Sequence, residues 1–164
     1  MQRVLGIDPG LRLTGYGAVA LPEDVVEPNL LEAGVIELDG RQQIEQRLQQ
    51  LYEDLGQLMD QIMPTCVVVE KLYAHYNHPR TAILMAHARG VILLCAQQRG
   101  LRVEHLPSTE VKKAVTGYGH ASKQQIQQAV ASQLGLKQLP SPPDVADAIA
   151  IALTHGRRIA IQRL

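Results

Sequence analysis

Residues 65–70 read "TCVVVE", and this short run decides how the chain is built. Consecutive β-branched residues without alternation read as a strand buried on both faces, the pattern of a parallel strand covered by helices. Before it, Ile44, Leu48, Leu51, Leu55, Leu58 and Ile62 recur at spacings of three and four, so residues 42–62 form an amphipathic helix that stops at Pro64. After it, residues 80–98 read as a second helix and "LRVEHL" (101–106) as the next strand. Upstream, "RVLGID" (3–8), "TGYGAVAL" (14–21) and "LLEAGVIEL" (30–38) read as three strands, joined through Pro9-Gly10 and through Pro22, Pro28 and Asn29. Strands in succession with turn residues between them predict an antiparallel meander. Helices starting at Ser108 and Ser122, the second with a Ser122–Gln125 capping box, and a last helix through "DVADAIAIALTH" (144–155) complete an α/β order around a mixed sheet. No repeat, low-complexity tract or linker interrupts it, so residues 1–164 are expected to form a single domain.

Sixteen basic residues balance sixteen acidic ones. Net charge thus gives no support for nucleic-acid binding, and any such activity must rest on where the charges sit. Cys66 and Cys95 lie in apolar runs and read as reduced core residues, and no signal sequence precedes the first strand. Both features predict a cytoplasmic protein. The longest apolar stretch, "AILMAHARGVILLCA", is interrupted by His87 and Arg89 and is short for a bilayer span.

The chemistry-bearing residues are acids in apolar surroundings. Asp8 closes the first strand, Glu70 the central one, and Asp144 and Asp147 open the last helix. Strand ends are where ligands collect in open α/β sheets, so these carboxylates converge if the first and central strands are neighbours with the last helix beside them. Clustered carboxylates repel one another, and hard divalent cations relieve the repulsion through oxygen ligands. Two such ions can clamp the attacking and leaving oxygens of a phosphodiester. Each acid also has an ordinary reading. Asp8 suits an Asx turn before Pro-Gly, Glu70 a solvated strand end, and Asp144 a capping-box acid behind Ser141 as N-cap. Asp147 shares a face with Ala150, Ile151 and Thr154, which should pack inward, so it needs either a cation or a basic partner.

Two loops surround these positions. "EKLYAHYNHPR" places Tyr73 and Tyr76 among Lys71, His75, Asn77, His78 and Arg80, a mixture suited to stacked bases and held phosphates, or to capping core edges. "EVKKAVTGYGHASK" carries Lys112, Lys113 and Lys123 around a glycine-rich turn with Tyr118, suited to a phosphate backbone or to plain solvation. His75, His78 and His87 lack partnering cysteines, so zinc is not expected. Helix 80–98 is apolar on more than one face, which predicts a homodimer interface.

"VLGIDPGLRLTGYGAV", "VVVEKLYAHYN", "ARGVILLCA", "VKKAVTGYGHASKQQIQ" and "DVADAIAIALTH" together resemble the RuvC family of Holliday-junction resolvases, in the family's order and over residues 3 to 155. The resemblance implies a ribonuclease-H-like fold, a five-stranded mixed sheet flanked by helices, forming a single nuclease domain. It implies a homodimer that binds a four-way DNA junction and makes paired symmetric nicks in strands of like polarity during recombination and repair. Asp8, Glu70, Asp144 and Asp147 stand at the family's acidic metal-binding positions, which take Mg²⁺ or Mn²⁺, two ions per site. Tyr73 stands where relatives often carry phenylalanine that stacks at the junction centre. Lys112 and Lys123 match lysines near the scissile phosphate, with Lys123 neutralising charge there, and Tyr76 and Arg80 are expected to assist DNA binding. A RuvA–RuvB branch-migration complex is the implied partner. Two other classes remain open: a catalytically inert junction-binding module, and a one-lobed relative of actin-like or sugar-kinase-like ATPases.

Overall fold

The computed structural model describes residues 1–72 and 78–164. Strands β1 (Gln2–Asp8), β2 (Leu13–Leu21) and β3 (Asn29–Glu37) form the antiparallel meander. Strands β4 (Cys66–Glu70) and β5 (Arg102–Leu106) add in parallel on the other side of β1, giving the order β3-β2-β1-β4-β5. The expected five-stranded mixed sheet is therefore present, and β1 sits where the sheet changes from antiparallel to parallel pairing. Helices α1 (Ile44–Ile62) and α2 (Pro79–Gln98) pack on each other and cover one face; α3 (Ser108–Thr116), α4 (Lys123–Leu134) and α5 (Pro143–Gln162) cover the other.

Strand alternation sorts the core. Leu5 and Ile7 of β1 and Val67 and Val69 of β4 face α1 and α2, whereas Val4, Cys66 and Val68 face α5. The run "VVV" is buried throughout because both faces of the sheet are covered. The same period of two sends Asp8, which follows Val4 and Gly6, and Glu70, which follows Cys66 and Val68, to the α5 face.

At the glycines of β1 and β2, helix α5 lies against the strands with no strand side chain between them. A Cβ on Gly6 would stand 2.3 Å from the Ala148 carbonyl oxygen, and one on Gly15 2.2 Å from that of Asp144. Glycine at both positions is what lets the helix backbone reach the sheet. One expectation fails here. Ser141 is not the N-cap of α5: that position falls to Pro142, with no side-chain cap bond, and Pro143 opens the helix. The second proline takes the first helical position, where its fixed φ and missing N–H are tolerated, and this moves the start one residue on. Asp144 is thereby left without the capping partner that would have explained it. The capping box at α4 is present, with Ser122 Oγ accepting from Gln125 N at 3.2 Å and Gln125 Oε1 from Ser122 N at 2.8 Å. Among the described residues no helix is long and apolar enough to cross a membrane.

Candidate active site

Asp8 and Glu70 lie one residue beyond the paired Ile7 and Val69, at the carboxyl ends of adjacent parallel strands. Helix α5 brings Asp144 and Asp147 to the same place, three residues apart on one helical face. The acids line a single cleft of about 360 Å³ together with Lys112 of α3 and Lys123 of α4, both on its wall. Pro9, Gly10, Leu13, Met85, Ser108, Val111, Ile126 and Ile151 complete the lining. The turn after Asp8 is held by the fully buried Thr14, whose hydroxyl donates to the Gly10 carbonyl at 2.7 Å and accepts from Gly10 N at 3.1 Å. An Asx turn is thus unnecessary, and Asp8 is left to face the cleft.

The electrostatics are those of acids short of positive charge. Burial pushes the Asp8 carboxyl well above the ordinary carboxylate range, and repulsion from Glu70, Asp147 and Asp144 adds to it, with Lys123 opposing. Burial likewise raises Asp147 to about 6, where Lys123 pulls down and Glu70 and Asp144 push up. Glu70 is raised by burial, while the Ser108 hydroxyl, Lys112 and Lys123 pull the other way. Two lysines leave the cleft's negative charge incompletely balanced, so Asp8, Glu70 and Asp147 favour protonation unless another cation enters. The oxygen-only donor set suits a hard divalent ion. Among the described residues no three His, Cys, Asp or Glu side chains stand close enough together to hold an ion as they are placed.

Several supporting residues escaped the sequence reading. Arg89, noticed there only as an interruption of an apolar helix, donates from Nε to the Glu70 carbonyl at 3.2 Å and also contacts His105 Nδ1. His105 is held below its usual pKa by burial and by Arg89 and Lys71, which keeps its ring an acceptor. Lys71 N donates to the Leu106 carbonyl at 2.8 Å, so the end of β4 is fixed from both sides. A guanidinium among apolar residues needs acceptors, and that was the available signal. Of the expected DNA contacts, Arg80 stands exposed in the first turn of α2 and does not line the cleft. Tyr73 and Tyr76, with His75, lie outside the described residues.

Sheet order and helix placement make this a ribonuclease-H-like fold, with an acidic cleft at the carboxyl ends of its central parallel strands. Comparison with known proteins narrows the class. The family model described as crossover junction endodeoxyribonuclease RuvC matches residues 4–155. A crossover junction endodeoxyribonuclease RuvC of Rhodopirellula baltica is 46% identical over 150 residues, covering 92% of this chain and 83% of that protein. Another, of Caldicellulosiruptor saccharolyticus, is 42% identical over 154 residues, covering 94% and 92%. The structure of Thermus thermophilus RuvC in complex with Holliday junction substrate superposes with a TM-score of 0.88 at 31% identity, covering 99% of this chain and 98% of that one. The chain belongs to the RuvC family. Dependence on a divalent metal is typical of that family.

Proposed function

We propose that this chain is a crossover junction endodeoxyribonuclease: it binds a four-way DNA junction and resolves it by paired symmetric nicks in strands of like polarity. The observation that carries this reading is the convergence of Asp8, Glu70, Asp144 and Asp147 with two lysines in one cleft of a RuvC-family fold. Residues 1–164 act as one nuclease domain. Asp8, Glu70 and Asp147 hold divalent ions, with Asp144 completing one site. Mg²⁺ or Mn²⁺, two ions per cleft, would supply Lewis acidity to the attacking water and to the departing 3′ oxygen.

The chain's own contribution is positioning and charge. β1 and β4 fix two carboxylates side by side, and α5 presses two more against them through the glycine contacts. Lys123 lies among the carboxylates and neutralises phosphate charge as it builds in the transition state. Lys112 holds the strand from the α3 wall. With no net charge to draw DNA in, affinity comes from these local cations and from Arg80, Tyr73 and Tyr76, and it falls steeply with salt.

Helix α2 supports a homodimer, because Ile83 and Leu94, eleven residues apart on one side of the helix, are 59% and 52% exposed while Ala88, Ile92, Cys95 and Ala96 are buried. Two copies would present two clefts for the paired nicks. A RuvA–RuvB branch-migration complex fits as the partner that delivers junctions, in the cytoplasm.

The test is cleavage of a labelled synthetic four-way junction beside a linear duplex of the same sequence, in Mg²⁺, Mn²⁺ or EDTA. Paired nicks that require both metal and junction are expected. Replacing Asp8 by Asn should lower nicking by roughly a hundred- to a thousandfold or more, the scale on which losing one electrostatic partner of a transition state registers. Folding and junction binding should survive. Full nicking by that variant would remove the assignment.

A further inference from the structure

The hairpin of α3 and α4 presents Lys112 and Lys123 to the cleft, and the turn that joins the helices carries Tyr118. Among the described tyrosines this one is unlike the others. Tyr16 donates its hydroxyl to Glu32 at 3.1 Å and Tyr52 donates its own to Gln98, both with half-buried rings. Tyr118 is 59% exposed, and among the described residues its hydroxyl has no partner. Its backbone, by contrast, is tightly held. Gly117 closes α3 at φ 81, and the Thr116 hydroxyl accepts from Tyr118 N at 3.1 Å while its one proton has two acceptors in reach, the carbonyls of Lys112 (2.7 Å) and Tyr118 (3.0 Å). Ala121 N then donates to the Tyr118 carbonyl at 3.2 Å. The exposed His120 ring stands edge-on to the tyrosine, centroids 5.7 Å apart. Beside the ring is a recess of about 250 Å³ lined by Thr116, Gln125 and Gln128 with Val115 and Ala129.

An exposed aromatic ring on a braced backbone, next to a recess of base size with amide groups in its wall, is a platform for a planar heterocycle. It loses little freedom on binding, because the turn is already ordered. The ring stands in the turn between α3 and α4, six residues after Lys112 and five before Lys123, the two lysines that line the cleft. We propose that Tyr118, buttressed by His120, stacks on an unpaired nucleobase flanking the scissile phosphate and sets part of the base preference at the cut. Gln128 offers an amide donor and acceptor to that base's edge, and Gln125 the amide NH₂ beside the oxygen that already accepts from Ser122 N. The proposal rests on the resolvase reading, and its test separates the two.

Junctions carrying 2-aminopurine at each position flanking the cut are bound by the Asp8→Asn variant, and quenching of the probe reports stacking. One flanking position should be quenched. Tyr118→Phe should keep the quench and Tyr118→Ala lose it, with junction affinity falling roughly tenfold, in line with the loss of one stacked base. In the active protein, Tyr118→Ala should flatten the ranking of junctions that differ only in bases beside the cut, and Tyr118→Phe should preserve it. Unchanged quenching and ranking in Tyr118→Ala, from a protein that nicks junctions normally, would overturn this site and leave the resolvase reading intact. Tyrosine-dependent quenching in a protein that never nicks would do the reverse.

Discussion

The two faces of the sheet are packed by different means. On the α1/α2 face, Leu5, Ile7, Val67 and Val69 meet Leu51, Leu55, Met59 and Ile92, large side chain against large side chain. On the α5 face, Gly6, Gly15 and Gly17 let the helix backbone approach the strands directly, with a Cβ on Gly17 placed 2.8 Å from the Ile149 Cα. Side chains can repack around a loss; backbones in contact cannot move without carrying whatever is attached to them. The acids all sit on the second face. One side of the sheet therefore holds the molecule together, and the other also sets the distances between its carboxylates.

The sharpest way to break this contrast is a methyl group at Gly15. This residue pairs with Asp8 across β1 and β2, and its missing side chain is what admits the Asp144 carbonyl. Gly15→Ala should displace the start of α5 and lower junction nicking by about a hundredfold or more, since a shift of ~1 Å at reacting groups has that effect. Stability should fall with it. Gly40→Ala is the control, because a Cβ there meets nothing within 4 Å. Nicking by Gly15→Ala within a few-fold of the parent would mean that the close approach does not fix the acids. On the other face, Leu55 is fully buried, and Leu55→Ala should lose about 2–5 kcal/mol in urea unfolding. Well below the unfolding transition its nicking rate should stay within about twofold of the parent. A large rate loss in the folded variant would erase the distinction between the faces.

Much of this was legible in the sequence, unevenly. The β-branched run at 67–69 announced a doubly covered strand, and strand alternation alone assigns Asp8 and Glu70 to one face. Neither pattern tells which helix covers that face, because this depends on the crossover from β4 through α2 to β5. The glycines of β1 and β2 were visible as glycines, yet their meaning lies in a helix more than a hundred residues away. Ser141 failed as a cap because two prolines compete for the first helical position, and local rules score each acceptably. Arg80 and Lys123 read alike as loop cations, but only Lys123 stands on a helix whose packing turns it into the cleft. The role of Arg89 depends on a backbone carbonyl, a partner with no sequence signature.

A smaller effect separates the faces by pH. Asp147 has its pKa raised from 3.8 to about 6, so the folded state holds its proton where the unfolded chain has released it. Between about pH 4 and pH 6 the native state binds more protons than the unfolded one, and stability must fall as pH rises through that window. Two pKa units correspond to ~3 kcal/mol, a stabilisation fully present below about pH 4 and gone above about pH 6.5. Melts in EDTA should show this decline, and Asp8 and Glu70, raised for the same reason, should steepen it. Asp147→Asn removes its share, so the variant should be more stable than the parent at neutral pH without metal, while losing activity. Added Mg²⁺ should reverse the order, because a cation favours the charged acid that the parent has and the variant lacks. Leu55→Ala should shift the whole stability curve downward without changing its slope against pH. Parallel pH slopes for the parent and Asp147→Asn in EDTA would mean that the acids on the α5 face are not under electrostatic strain, and the contrast would reduce to packing alone.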